Sequence, residues 1–286
     1  MKLNDSLKKA IDVLNKKYKK QESDSILKTG IDFLEFEQGE LIVLAAKPSM
    51  GKTAFSLSLV KELAVDNKES VGVIIPGTMA EEEIGQRLIS ICSGIDLWGI
   101  KNGLIKKDEI EQIHQAASKL FDMPIYLFNE PNCSFDEIEA SIKNIVEAHH
   151  VRLIIVEGFE FIKELVDSGK KDYRMVLECL LSNFKLVANE LHIPIMLIMN
   201  LPISEDENKP TLLDFKNHLV IPWVADKVLF IHRNRSLEST NEVDAKLIIA
   251  KNGSGCTGEI KLRFDTKTAR FIWRRHDKKV NEQAVM

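Results

Sequence analysis

Residues 41–53 read LIVLAAKPSMGKT, an apolar run of strand length that enters a short loop and leaves it at Gly51-Lys52-Thr53, where a helix-forming stretch begins. No other feature constrains the fold as tightly. A loop of this kind holds phosphate only when a strand delivers it and a helix opens directly after it. The helix start then aims unpaired N–H groups and the positive end of its dipole at the anion. In that arrangement the ammonium of Lys52 reaches β- and γ-phosphate oxygens and the hydroxyl of Thr53 ligates Mg²⁺. Gly51 is expected to let the backbone approach phosphate with no Cβ in the way. Lys47, Ser49 and Met50 complete the cradle, so ATP and Mg²⁺ are the expected cofactors. The first loop position is Ala46, where P-loops in general carry glycine.

The rest of the chain supplies a sheet for that loop. LIVLAA (41–46), VGVIIP (71–76), PIYLF (124–128), RLIIVE (152–157) and IPIMLIM (193–199) have the length and continuous apolarity of strands covered on both faces. Helix candidates lie between them at 52–66, 80–92, 107–121, 134–149 and 172–191, the fourth opened by a capping box of Ser134 and Glu137. Strand and helix in alternation predict an α/β fold with a mostly parallel, doubly wound sheet. After residue 226 the pattern changes to DKVLFIH, AKLIIA, EIKLRF and ARFIW, read as antiparallel strands that extend one edge.

Residues 7–18 place Leu7, Ile11, Leu14 and Tyr18 on one helical face, followed by the polar joint QESDS. Periodicity shows the apolar face but not what covers it, so packing on its own domain and docking on a neighbouring subunit both stand. The layout is an amphipathic helix and joint at 1–22, an ATP-binding domain at 23–275 and a polar tail at 276–286. No run is long and apolar enough to span a bilayer and no signal peptide opens the chain, so no membrane association and a cytoplasmic location are expected. Cys92, Cys133, Cys179 and Cys256 show no paired spacing, which argues against a zinc site and a disulfide framework and for buried thiols. A net charge of −4 does not describe a nucleic-acid-binding surface, so any DNA would be held in a local groove.

AAKPSMGKTAFSLSLV resembles the nucleotide loop of DnaB-type replicative DNA helicases, whose motif runs alanine, arginine or lysine, then P-S-M-G-K-T, with the same alanine in the first position. The likeness continues in TGIDFL (29–34), KLVANELHIPIMLIMNL (185–201) and ADKVLFIHR (225–233), and covers roughly residues 5 to 274. It implies a RecA-like P-loop domain, without the family's amino-terminal collar domain that meets the primase. It also implies that the helix at 7–18 is a linker helix docking on the adjacent subunit of a homo-oligomeric ring or on a related helicase, with single-stranded DNA as a further partner.

Several positions depart from the family's pattern. The second strand of the family ends in a glutamate that orients the attacking water, and here the place reads Pro76-Gly77-Thr78-Met79. Losing a positioned base typically costs about 10²–10⁴ in rate. Glu81, Glu82 and Glu83 follow, where acids suit a helix start. The resemblance places Glu157 at the Mg²⁺ shell in place of aspartate. Glu160 stands where the family has glutamine, as either a relocated base or a surface carboxylate. Asn200 takes the place of the glutamine that senses the γ-phosphate. Lys251 matches a lysine that reaches a neighbour's nucleotide, while the arginine finger beside it is Gly253. The loop that the family presents to DNA reads LPISEDENK (201–209), with three consecutive acids that would repel a phosphate backbone, and a second candidate loop keeps Lys163, Lys170, Lys171 and Arg174, read as a solvated charge run or a DNA contact.

Two functions follow from the resemblance. One is an ATP-binding helicase-like protein of DNA replication or unwinding with weakened hydrolysis. The other is a nucleotide-gated, non-motor partner that assembles with a helicase ring.

Overall fold

In a computed structural model, the structure describes residues 3, 4, 7, 8, 11, 26–77, 79–202, 208–233 and 241–273. The strands are β1 (Ile26–Ile31), β2 (Leu34–Glu37), β3 (Leu41–Ala46), β4 (Val71–Ile75), β5 (Ile125–Asn129), β6 (Leu153–Glu157), β7 (Ile195–Asn200), β8 (Lys227–Arg233), β9 (Glu242–Asn252), β10 (Gly258–Asp265) and β11 (Arg270–Ile272). The first two form a separate antiparallel hairpin, and the others form one sheet in the order β11-β10-β9-β8-β3-β7-β6-β4-β5. The α-helices are α1 (Lys52–Val60), α2 (Glu81–Ser93), α3 (Leu97–Asn102), α4 (Lys107–Phe121), α5 (Phe135–His149), α6 (Lys163–Asp167), α7 (Gly169–Leu191) and α8 (Val220–Val224).

The period of two along β3 builds both sides of the core. Ile42, Leu44 and Ala46 face one cluster with Phe55, Leu59 and Phe271, while Leu41, Val43 and Ala45 face a second with Leu181, Phe184 and Phe230. Every residue of β3, β4 and β6 is buried, as their unbroken apolarity predicts for strands covered on both faces. Adjacent strands from β8 through β3, β7, β6 and β4 to β5 are parallel, so the ends of β3, β6 and β7 that carry Ala46, Glu157 and Asn200 share one edge of the sheet. Open parallel sheets bind ligands at that edge.

The structure corrects several expectations. β8 pairs parallel with β3 and lies inside the sheet, so only β9, β10 and β11 form the antiparallel extension. β5 is an edge strand and only half-buried, with Leu127 on its open side. The helix expected over 52–66 is α-helical to Val60 and continues as a wider π-type turn over Lys61–Asp66. The candidate DNA loop at 163–174 is helical, formed by α6 and the start of α7, and Arg174 pairs with Glu178 one turn along at 3.1 Å. The cysteines are not all buried: Cys133 is, Cys92 is intermediate, and Cys179 and Cys256 are exposed.

At the amino terminus, Leu7 and Ile11 are helical and exposed, as is Leu3. Leu14, Tyr18, Thr78, residues 203–207 and the tail at 276–286 lie outside the described residues. Among the described residues no helix is long and apolar enough to cross a membrane.

Candidate nucleotide-binding site

The loop from Ala46 to Thr53 turns sharply because Ser49 (φ 64°) and Gly51 (φ 95°) both take the left-handed region. Only glycine adopts that region without steric cost, so Ser49 is held there by its surroundings. One restraint is visible: the Arg233 guanidinium donates to the Ser49 carbonyl at 2.8 Å and lies 4.3 Å over the ring of Phe264. Gly51 carries a packing constraint that its place in the motif does not show. A Cβ there would meet the Phe271 ring at 3.0 Å, so the residue is required by its dihedral and by packing against the core. Beyond it the Phe55 N–H closes the first turn of α1 onto the Gly51 carbonyl at 2.9 Å.

Lys52 and Thr53 leave the loop on the first turn of α1. The Lys52 ammonium lies 3.5 Å from the Ala46 carbonyl, folded back across the loop. Burial lowers its pKa, and the carboxylates of Glu160 and then Glu157 partly restore it, so both acids stand within electrostatic reach of this lysine. Thr53 Oγ1 donates to Glu157 Oε1 at 2.5 Å, and Ser56 Oγ lies 2.9 Å from Glu157 Oε2. Burial raises the pKa of Glu157, opposed by the hydroxyls of Thr53 and Ser56 and by the Lys52 charge. The Glu157 carboxylate and the Thr53 hydroxyl are hard oxygen donors of the kind Mg²⁺ takes, whereas the Lys52 ammonium suits an anion. Glu160 is held by the end of β7: its Oε1 accepts the backbone N–H of Asn200. Together with Tyr173, His218 and Pro48 these two residues line a cavity of about 350 Å³ beside the loop.

Of the residues singled out in the sequence, Lys47, Ser49, Met50, Gly51, Lys52, Thr53, Glu157, Glu160 and Asn200 therefore gather at one edge of the sheet. Lys251 does not join them. It pairs with Val228, which pairs with Val43 near the entry end of β3, and its ammonium donates to the carbonyls of Pro222 (2.8 Å) and Ala225 (2.6 Å). The neighbouring Gly253 N–H is bound by the Asp226 carbonyl at 3.0 Å. Glu83, one of the three acids that follow Thr78 in sequence, is engaged by Lys101 at 2.6 Å and Arg87 at 2.8 Å. Ser56 and the Arg233 brace escape sequence reading. Ser56 carries a faint signal, a polar residue three places after Thr53 and so on the same helix face.

A model of the DnaB-like helicase C-terminal domain matches residues 30–272. The replicative DNA helicase DnaB of Treponema pallidum is 27% identical over 272 residues, covering 92% of this chain and 59% of that protein. That of Mycoplasma genitalium is 29% identical over 248 residues, covering 83% and 53%. The chain thus spans little more than half the length of these curated relatives. A solved ATPase domain shares the fold with a TM-score of 0.79 at 20% identity, covering 94% of this chain and 98% of that one. A DnaB-like replicative helicase, described with its interactions with primase, follows at 0.77 and 20%, covering 93% and 66%.

Proposed function

The chain belongs to the DnaB-like helicase C-terminal domain family, and on that premise we propose that it is an ATP·Mg²⁺-binding domain acting in DNA replication or unwinding, with slow hydrolysis. The observation that carries the nucleotide assignment is the contact of Thr53 with Glu157 directly behind the Lys52 loop. Thr53 and Glu157 would hold Mg²⁺, which supplies charge neutralisation at the β- and γ-phosphates. Lys52 and the N–H groups of the loop bind and orient the phosphates. Glu160, anchored by the Asn200 N–H, is the carboxylate best placed to take a proton from an attacking water.

Slow hydrolysis is supported by what stands where a neighbour's groups would be supplied. Gly253 has no side chain to offer, and the Lys251 ammonium is held by two carbonyls of its own subunit. An arginine finger in related hydrolases contributes about 10³–10⁵ in rate. The same observation favours the second reading, a nucleotide-gated partner that assembles without driving movement. In both readings residues 1–22 dock on a second copy or on a related helicase, which the exposure of Leu3, Leu7 and Ile11 supports. Single-stranded DNA belongs to the first reading alone.

Binding of a fluorescent ATP analogue with and without Mg²⁺, for the wild-type chain and Lys52→Ala, tests the assignment. Saturable, Mg²⁺-dependent binding lost in the variant is the expected result. Absence of binding by wild type at millimolar nucleotide refutes it.

A further inference from the structure

The carboxylate of Glu157 uses both of its oxygens within one helix. Oε1 accepts from Thr53 Oγ1 at 2.5 Å and Oε2 lies 2.9 Å from Ser56 Oγ. Thr53 and Ser56 are three residues apart on α1, so their side chains stack on one face a turn apart. Glu157 reaches them from the end of β6 and bridges the two. Ser56 and Glu157 are both buried, at 2% and 8% exposure, so neither oxygen has bulk water as an alternative partner.

Ser56 has one hydroxyl proton and two acceptors in range, Glu157 Oε2 and the Thr53 carbonyl at 3.0 Å. An ionised carboxylate only accepts hydrogen bonds. Both hydroxyls therefore donate to it, and the lone pairs of Thr53 Oγ1 are left for a cation. We propose that Ser56 is a positioning residue of the Mg²⁺ site: it holds Glu157 Oε2, which fixes Oε1 on the Thr53 hydroxyl proton and leaves the Thr53 Oγ1 lone pairs turned away from the carboxylate. This rests on the reading of the site as one for ATP·Mg²⁺. It adds a residue that touches neither metal nor nucleotide but sets how well both are held. The adjacent buried hydroxyl on α1, Ser58, makes different contacts: it donates to the Ala54 carbonyl at 2.6 Å and accepts the Phe271 N–H at 3.0 Å. It is an internal control for loss of a hydroxyl from this helix.

The experiment uses the full chain and a fluorescent ATP analogue, with nucleotide affinity read by anisotropy across a Mg²⁺ titration and in excess chelator. Partners that orient a metal's ligands typically change metal affinity about 10–100-fold when removed. Ser56→Ala is expected to raise the Mg²⁺ concentration for half-effect about tenfold and to leave affinity in chelator within about twofold. Ser58→Ala should leave the Mg²⁺ half-point unchanged. In a Glu157→Asp background the shorter side chain no longer spans both hydroxyls, so adding Ser56→Ala should have little further effect. The proposal is overturned if Ser56→Ala keeps the wild-type Mg²⁺ half-point, if it weakens binding equally with and without Mg²⁺, or if its full effect persists beside Glu157→Asp. Wild type that binds no nucleotide overturns the site assignment together with this proposal. Wild type that binds with Mg²⁺ dependence unaffected by Ser56→Ala overturns this proposal alone.

Discussion

Thr53 and Glu157 stand 104 residues apart in sequence and meet at 2.5 Å, hydroxyl to carboxylate, where the loop after β3 faces the end of β6. β7 lies between those two strands, so the contact exists only because α1 carries Thr53 across it. A ligand that binds only this folded arrangement raises stability by mass action, about 2.7 kcal/mol at a hundredfold excess over Kd. A shift of 1 kcal/mol moves Tm by about 2–4 °C in a domain of 150–250 residues. The expected result in a thermal-shift assay is a rise of several degrees with ATP and Mg²⁺ together. Thr53→Ala should lose the Mg²⁺-dependent part, and Lys52→Ala most of the whole.

Arg233 is expected to govern the loop's shape without touching nucleotide. Its guanidinium bridges the Ser49 carbonyl and the Phe264 face. A hydrogen bond from a charged donor contributes about 1.5–3 kcal/mol and the ring contact about 0.5–1 kcal/mol more at an exposed site. Arg233→Met should weaken ATP affinity about tenfold, because Ser49 loses a restraint on its left-handed backbone. Equilibrium binding of the nucleotide checks this, and an unchanged Kd contradicts it.

The loop, Glu157 and Asn200 were legible from sequence because they sit at strand ends, which apolar run length marks, while the resemblance singles out Glu157, Glu160 and Asn200; Glu160 lies three residues past β6, in the short turn Phe159–Phe161. Lys47 to Thr53, Glu157 and Asn200 fall where those ends predict. What was not legible depends on neighbours distant in the chain. VGVII and IYLFN look alike as runs, yet one is interior and the other an edge, a difference set by strand order alone. The direction of β8 is hidden for the same reason, since a run of apolar residues reads the same either way. The inward use of Gly51 required Phe271, and the pinning of Lys251 required Pro222 and Ala225.

The buried pair of Lys227 and Glu40 offers a test of the fold at the opposite end of the sheet. Lys227 is 1% exposed and is bonded to the Glu40 carboxylate and to Ser254 Oγ at 2.8 Å. Removing one member leaves an unpaired buried charge and costs about 3–5 kcal/mol, while replacing both with apolar residues costs far less. Lys227→Met should therefore lower stability strongly, and Lys227→Met with Glu40→Leu should recover most of it. Chemical denaturation of the three proteins measures this, and a double variant less stable than the single contradicts it.

Two histidines should make stability fall on mild acidification. Burial holds the His218 imidazole below its ordinary pKa of 6.5, with the Arg174 charge adding to the effect, and burial does the same at His232 with nearby lysines. The unfolded chain then binds protons more readily than the folded one, so stability is complete above about pH 6.5 and is lost as pH falls below it. His218→Gln should flatten part of that slope between about pH 7 and 5. Burial of Glu157 raises its pKa and works the other way in both proteins, so melting curves across that range are compared between wild type and His218→Gln, and a variant whose Tm falls with acidification as steeply as wild type contradicts it.

Glu160 is the carboxylate on which any residual turnover should depend, since its charge acts on Lys52 and it is held by the Asn200 N–H. Glu160→Gln should lower hydrolysis at least tenfold and leave ATP affinity nearly unchanged, the pattern of a group acting in the transition state. A variant with wild-type turnover contradicts this role.

The most direct test is the rate of ATP hydrolysis by the full chain at saturating ATP·Mg²⁺, per bound nucleotide, with and without single-stranded DNA. An ordinary enzyme turns over about 10 times per second, and loss of a positioned base removes about 10²–10⁴ of that. The predicted result is tight nucleotide binding with turnover below about 0.1 per second, whether or not DNA is present. Turnover of many ATP per second stimulated by single-stranded DNA would contradict it and identify a fully working motor.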